Sequence, residues 1–235
     1  ETFPMHLSPH PTTTPAPDPV LPAPSTADRQ IPAASKGHFT GHLVCGPGAG
    51  RVVQVESHLE MQVALVLLAR PGTAMLEEQV AFGWIDARGH RKTHAFDFRL
   101  TRADGHVAAI AVKPTKYLRK NGFLGQMRQI AAQVTPDFAD AVRVMTERDL
   151  DPVELHNAEL FHGMRHSDPE ADAAAAAVLA TLLGAVPLAD LTGRIGLGAR
   201  GFRALVRRIA AGELRCLARE RITPATLVRR TETLQ

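Results

Sequence analysis

Cysteine is scarce in this chain of 235 residues: only Cys45 and Cys216 are present, far apart in sequence. A disulfide framework or a thiolate metal cluster needs more, so neither is expected, and a reducing, cytoplasmic setting fits. Aromatic residues make up only 5% of the chain, so the core must be built mainly from Leu, Val, Ile and Ala. No apolar run reaches the roughly 18 residues that span a bilayer, and the first residues lack the basic-then-apolar order of a signal peptide. A soluble protein with no membrane role is therefore expected. What is present is a 45% apolar composition, ample for a packed core at this length.

Charge is nearly balanced overall, at +3, but it is unevenly placed. Between Arg194 and Arg230 there are ten Arg against Glu213 and Glu220, with no Asp or Lys. Clustered cations suit a phosphate backbone, whose condensed counterions they release, or an acidic protein partner. An Arg-rich helix surface that is merely solvated reads the same way from sequence.

Residues 1–40 hold nine Pro within the first 32 positions and show neither a helical nor a strand period, which predicts an extended tail. A turn-rich break at 46–50 follows. Residues 56–68 then read as a helix, with Leu59, Val63, Val66 and Leu67 on one face and Pro71-Gly72 ending it. Three strand-like runs come next, at 76–85, 93–101 and 107–113, separated by hairpin turns at 86–89 and 102–105. A helix over 118–134 and a short apolar strand at 141–145 complete a mixed α/β domain spanning 41–150. From Pro152 the sequence is almost wholly helical. The Ala-rich run 172–183 has strong helix propensity, and 188–195 and 202–210 read as two short helices about a Gly-rich turn. Residues 213–217 have the length of a strand, as in the wing of a winged helix-turn-helix, so 151–235 is expected to be a helical, winged-helix-like second domain.

Three polar residues stand where structural economy would not put them. Glu60 lies beside the apolar face of the first helix, Asp97 interrupts Phe96-Asp97-Phe98, and Lys113 ends the apolar run 108–112. Each is costly to bury without a partner. Phosphodiester hydrolysis needs carboxylates to hold one or two divalent cations, and a cationic side chain to position water and steady the charge that develops on phosphorus. Adjacent strands bring Asp97 and Lys113 to one end of a sheet, and a helix packed on that sheet can deliver Glu60. The position two before Lys113, where a third ligand would stand, is Ala111. The Val112 carbonyl and waters would then complete the shell of Mg²⁺ or Mn²⁺.

Several stretches resemble TnsA, the endonuclease subunit of heteromeric transposases. Gly50-Arg51-Val52 leading into Ser57-His58-Leu59-Glu60 resembles the family segment that ends in its helix-borne catalytic Glu. Glu78-Gln79-Val80-Ala81-Phe82 resembles the next strand, and Asp97-Phe98 is similar to the Asp-Phe that carries the metal-binding Asp. Residues 109–114, ending in Val112-Lys113-Pro114, resemble the apolar strand that closes on Val-Lys-Pro, with Ala111 in place of a polar residue. Residues 146–153, continuing to Asn157 and Glu159, resemble the junction into the C-terminal helical domain. The resemblance implies a restriction-endonuclease-like mixed-sheet nuclease core followed by a winged-helix-like domain. It also implies a Mg²⁺-dependent endonuclease that nicks the 5′ ends of a mobile element during cut-and-paste transposition. The partners it implies are transposon-end DNA, an integrase-type transposase subunit and an ATPase regulator.

Lys116, Arg119 and Lys120 follow Lys113 closely and are placed to meet the DNA strand at the site, while Arg203 and Arg207 in the Arg-rich segment are candidates for further DNA contacts. Glu56 precedes the first helix and reads more simply as a charge complementing the helix dipole. His94 lies three residues before Asp97 and so points to the opposite sheet face. His162 and His166 have ligand spacing but no third partner, and Gly193, Gly196, Gly198 and Gly201 read as a flexible turn rather than a phosphate loop. Two other readings stand beside the transposase subunit: a nuclease fold without catalysis that binds DNA or a partner, warranted by Ala111, and a stand-alone repair or phage nuclease.

Overall fold

The computed structural model describes residues 20–29, 31, 39–46, 48–119 and 122–231. Its first regular element is a hairpin of β1 (Gly41–Cys45) and β2 (Arg51–Val55). Gly46 and residues 48–50, within the stretch expected only as a break, lie between its strands. Gly50 is required there: its φ is +74°, and a Cβ at that position would lie 2.8 Å from the Cys45 carbonyl oxygen. Helix α1 (His58–Ala69) starts on the Ser57 cap and ends ahead of Pro71-Gly72. Its residues Val63, Ala64, Leu65, Val66 and Leu67 are all buried, so it is a core helix rather than an amphipathic surface one.

The chain then forms β3 (Thr73–Ile85), β4 (Arg91–Arg102) and β5 (Val107–Val112) as an antiparallel meander, as expected. Helix α2 (Phe123–Ala131) leads to β6 (Ala141–Met145), which pairs parallel to β5 and completes a four-stranded mixed sheet in the order β3-β4-β5-β6. Helix α2 is shorter than the expected 118–134. Residues 115–117 make a single 3-10 turn instead, and Gly122 at φ +66° interrupts the helical path before Phe123. Strand β5 is buried on both faces from Ala108 to Val112, as a central strand should be. One face packs Phe98, Leu100, Ile110 and Val112 against α1 and the β1–β2 hairpin. The other packs Phe96, Ala109 and Ala111 against Met127 and Ile130 of α2.

Helix α3 (Pro152–Gly163) gives Ala158 and Leu155 to the α1 core, and Leu160 and Phe161 to a third core. That third core lies within α4 (Pro169–Ala180), β7 (Ala185–Pro187), α5 (Leu188–Ile195), α6 (Ala199–Ala210), β8 (Leu214–Cys216) and β9 (Leu227–Arg230). Its strands form a small antiparallel sheet in the order β7-β9-β8, of which β8 alone was expected. Asp151 and Asp168 cap α3 and α4, each followed by Pro at the first helical position. Arg70 at the end of α1 is bound through two nitrogens by Glu154 of α3.

Part of the Pro-rich stretch is also anchored. Ala23 bridges to Arg51, Ser25 donates to Glu78, and Asp28 pairs with the backbone of Gln79 and Ala81. Residues 1–19, 30 and 32–38 of the expected tail lie outside the described residues. Among the described residues, no helix is long and apolar enough to cross a membrane.

Candidate metal centre

Glu60 occupies the third position of α1, and its surroundings explain why the helix starts there. The Ser57 hydroxyl accepts the Glu60 N–H at 3.1 Å and donates to Glu60 Oε1 at 2.8 Å, while the Glu56 N–H donates to Glu60 Oε2 at 2.7 Å. This is a close variant of the capping box, legible as Ser57-x-x-Glu60. Glu60 thus has a structural task as well as a place near the sheet. Burial raises its pKa above the ordinary value, against those hydrogen bonds.

Asp97 lies where the sheet comes apart. The β4–β5 ladder runs from Thr101↔Val107 to Phe98↔Ile110 and stops. Beyond it, the Val112 N–H donates to Asp97 Oδ2 at 2.6 Å, so a side chain takes over from the strand backbone. Burial pushes the Asp97 carboxyl up to about 7, and the charge of Glu60 pushes in the same direction. The Val112 hydrogen bond and the nearby Lys113 oppose that rise without cancelling it.

Lys113 is held by its backbone N–H to the Met145 carbonyl at 2.9 Å. Its ammonium stands 5.7 Å from the centre of the Phe123 ring and makes no ion pair with a described residue. The charges of Glu60, on α1, and of Lys113, just past β5, both act on Asp97 of β4, although the three are separated in sequence. Glu56 adds to the negative field at Asp97 and is paired with Arg29, from the anchored part of the Pro-rich stretch. That contact was not foreseen.

Among the described residues, no three His, Cys, Asp or Glu side chains form a group able to hold a metal ion. The two carboxylates nevertheless suit one. Each is held above its ordinary pKa chiefly by burial, and a divalent cation would relieve both the desolvation and the repulsion between them. Ala111 contributes no side-chain oxygen and is buried in the α2-side core. His94 packs edge-on against Phe96, with ring centres 4.7 Å apart, and burial together with the Lys113 charge lowers its pKa.

The cationic candidates have different fates. Lys116, over the Tyr117 ring at 4.9 Å, and Arg119 are exposed beyond β5, and Lys120 lies outside the described residues. Arg203 is exposed on α6 and has no ion-pair partner among the described residues. Arg207, expected to meet DNA, is already occupied: it binds Asp172 through Nε and Nη2 and reaches the Met164 carbonyl. Arg200, Arg208 and Arg219 are likewise paired, with Asp168, Glu213 and Asp151. Much of the Arg-rich segment thus serves the C-terminal core.

Gln79 was not singled out by sequence reasoning. It is fully buried, has φ +52°, and neither polar atom of its amide has a hydrogen-bond partner. No signal in the sequence marks such a backbone conformation at a Gln. No protein-family model matches this chain, and no curated protein matches it in sequence.

Proposed function

We propose that this chain is a Mg²⁺-dependent DNA endonuclease subunit of a transposition complex, nicking the 5′ ends of a mobile element. One observation carries the chemical part of the reading: two enclosed carboxylates, Glu60 and Asp97, with the charge of Glu60 acting on Asp97, near the Lys113 ammonium, and neither Asp97 nor Lys113 in an ion pair among the described residues. Such an arrangement costs folding energy and is relieved by a divalent cation. Mg²⁺ or Mn²⁺ held by Glu60, Asp97 and the Val112 carbonyl would supply a Lewis acid and an activated water. Lys113 would orient the attacking water and steady the negative charge gathering on the phosphoryl oxygens.

The wider assignment rests on the resemblance to TnsA together with the architecture. A mixed sheet whose central strands diverge at Asp97 supports a restriction-endonuclease-like core over 41–150. The order helix, strand, helix, helix, strand, strand from α4 to β9, with β9 between β7 and β8, supports a winged-helix-like domain over 151–235. The partners of this reading are transposon-end DNA, an integrase-type transposase subunit and an ATPase regulator.

The test is strand nicking by the assembled complex in Mg²⁺ or Mn²⁺. Asp97→Ala and Lys113→Ala should each reduce it by at least about a hundredfold, the scale of losing a main electrostatic contributor. Activity retained by either variant overturns the assignment. Ala111, enclosed among apolar side chains, favours the second reading, a nuclease fold that binds DNA or a partner without cutting it. Calorimetry separates the two: the second reading requires that Mn²⁺ not bind at Glu60 and Asp97 even when DNA is present.

A further inference from the structure

Gln79 sits in the middle of β3, between the register pairs Glu78↔Phe98 and Val80↔Phe96, and so directly beside Asp97 on β4. At this position both strands change the face they present. Leu76 and Phe98 belong to the core on the α1 side, whereas Phe82, Trp84 and Phe96 belong to the core on the α2 side. Strict alternation would keep Phe96 and Phe98 on one face. Gln79 and Asp97 are therefore the residues at which the pleat slips, and Gln79 absorbs the slip with φ +52°. Among the described residues it is the one non-glycine in the left-handed region.

Both features of Gln79 are costly. A left-handed backbone at a non-glycine residue is strained, and a buried amide without partners gives up its hydration for nothing. Its neighbour shows that the strand can satisfy a buried polar group. Glu78 is equally buried, yet it accepts from the Ser25 hydroxyl and from Arg51 Nη1. Level with Asp97, just past the end of the ladder, β5 carries Ala111, which has no side-chain oxygen to offer, and β3 carries Gln79, whose amide oxygen is unused. We infer that Gln79 Oε1 is the third side-chain oxygen of the divalent-cation site, taking from β3 the place that Ala111 leaves empty on β5. A neutral amide oxygen suits a site that already holds two mutually repelling carboxylates, and amide carbonyls are ordinary ligands for hard cations.

This inference rests on the metal-centre reading of Glu60 and Asp97, and one experiment separates the two. Mn²⁺ is titrated calorimetrically into the full chain with a short DNA duplex present, and thermal unfolding is recorded without metal. Gln79→Leu should weaken Mn²⁺ binding at least about tenfold, the scale of losing a supporting ligand, while its metal-free Tm stays equal or rises because an unpaired amide is gone. Gln79→Glu, which keeps the shape and adds charge, should bind Mn²⁺ more tightly than the parent. Unchanged Mn²⁺ affinity in Gln79→Leu, or weaker binding in Gln79→Glu, overturns the inference while leaving the metal centre standing if Asp97→Ala abolishes binding. If Asp97→Ala also binds Mn²⁺ normally, the metal centre falls and the role of Gln79 falls with it.

Discussion

Two regions of this molecule treat charge in opposite ways. Around α4 and α6, each buried or half-buried acid has a guanidinium: Asp168 is bound by two nitrogens of Arg200, and Asp172 by two nitrogens of Arg207. At the diverging end of the four-stranded sheet, Asp97 accepts from the Val112 N–H alone among the described residues, with Glu60 nearby of the same sign, and the Gln79 amide has no partner among them. Where a fold needs only to hold together, polar groups are satisfied within it. Where they are left unsatisfied against that tendency, a missing ligand is the economical explanation.

The contrast breaks first at Arg207. Its side chain is 15% exposed and its removal strands Asp172 and the Met164 carbonyl. Arg207→Ala should cost about 2–3 kcal/mol, the range for an acid left unpaired in a partly enclosed site. Urea unfolding measures it. If the loss is negligible, α6 is not fastened to α4 by this pair and Arg207 returns as a free basic group. The double variant Arg207→Ala, Asp172→Ala should recover part of the loss.

Asp97→Asn should act in the other direction. The amide oxygen can still accept the Val112 N–H, while the enclosed charge is removed. Because the folded carboxyl is raised from 3.8 to about 7, the folded state binds more protons than the unfolded state between those values. Stability therefore falls as pH rises through that window. The shift corresponds to at most about 4 kcal/mol, and the repulsion is shared with Glu60, so about 1–2 kcal/mol of stabilisation at pH 8 is expected in metal-free buffer. A Tm of the variant at or below the parent would mean that Asp97 is not under strain.

Asp168 supplies the opposite pH dependence. The Arg200 guanidinium, helped by the Ala171 N–H, holds its carboxyl well below the ordinary value of 3.8. Its contribution is fully present above that value and is lost as pH falls towards the folded pKa. Asp168→Asn should leave the acid limb of the stability curve shallower below pH 3.8. An unchanged acid limb would show that the C-terminal pairing is only decorative. Together, Asp97→Asn and Asp168→Asn should flatten separate stretches of the curve, the first between pH 3.8 and about 7 and the second below pH 3.8.

Much of this contrast was legible in the residues and some of it was not. Apolar runs with turn dipeptides between them gave the β3–β4–β5 meander and β6 nearly to the residue, because alternation and turn chemistry are local. The β1–β2 hairpin was missed because its Gly-rich turn reads equally as a break. Strands β7 and β9 were missed because three or four residues carry no usable period. Glu60 and Asp97 stood out because they interrupt apolar surroundings. The double task of Glu60 was written in Ser57-x-x-Glu60, whereas the pleat slip at Gln79 depends on packing against two cores and leaves no local trace. The pairing within the Arg-rich segment was illegible for a related reason: composition counts charges, but only the fold reveals that Asp168, Asp172 and Asp151, contributed from earlier in the chain, pair with Arg200, Arg207 and Arg219.

The smallest expected effect on stability gives the sharpest test of what remains free. Arg203 is exposed on α6 and lies on the same helix as the occupied Arg200 and Arg207. Arg203→Ala should change stability by no more than about 0.5 kcal/mol, as a surface substitution without partners does. If it contacts a phosphate, it should also lower the slope of log affinity against log salt by about one, without changing sequence preference. Fluorescence anisotropy with duplex DNA at several salt concentrations measures that slope. An unchanged slope would leave α6 wholly to the fold, and the basic character of the C-terminal half would then be accounted for by its own acids and by solvent rather than by DNA.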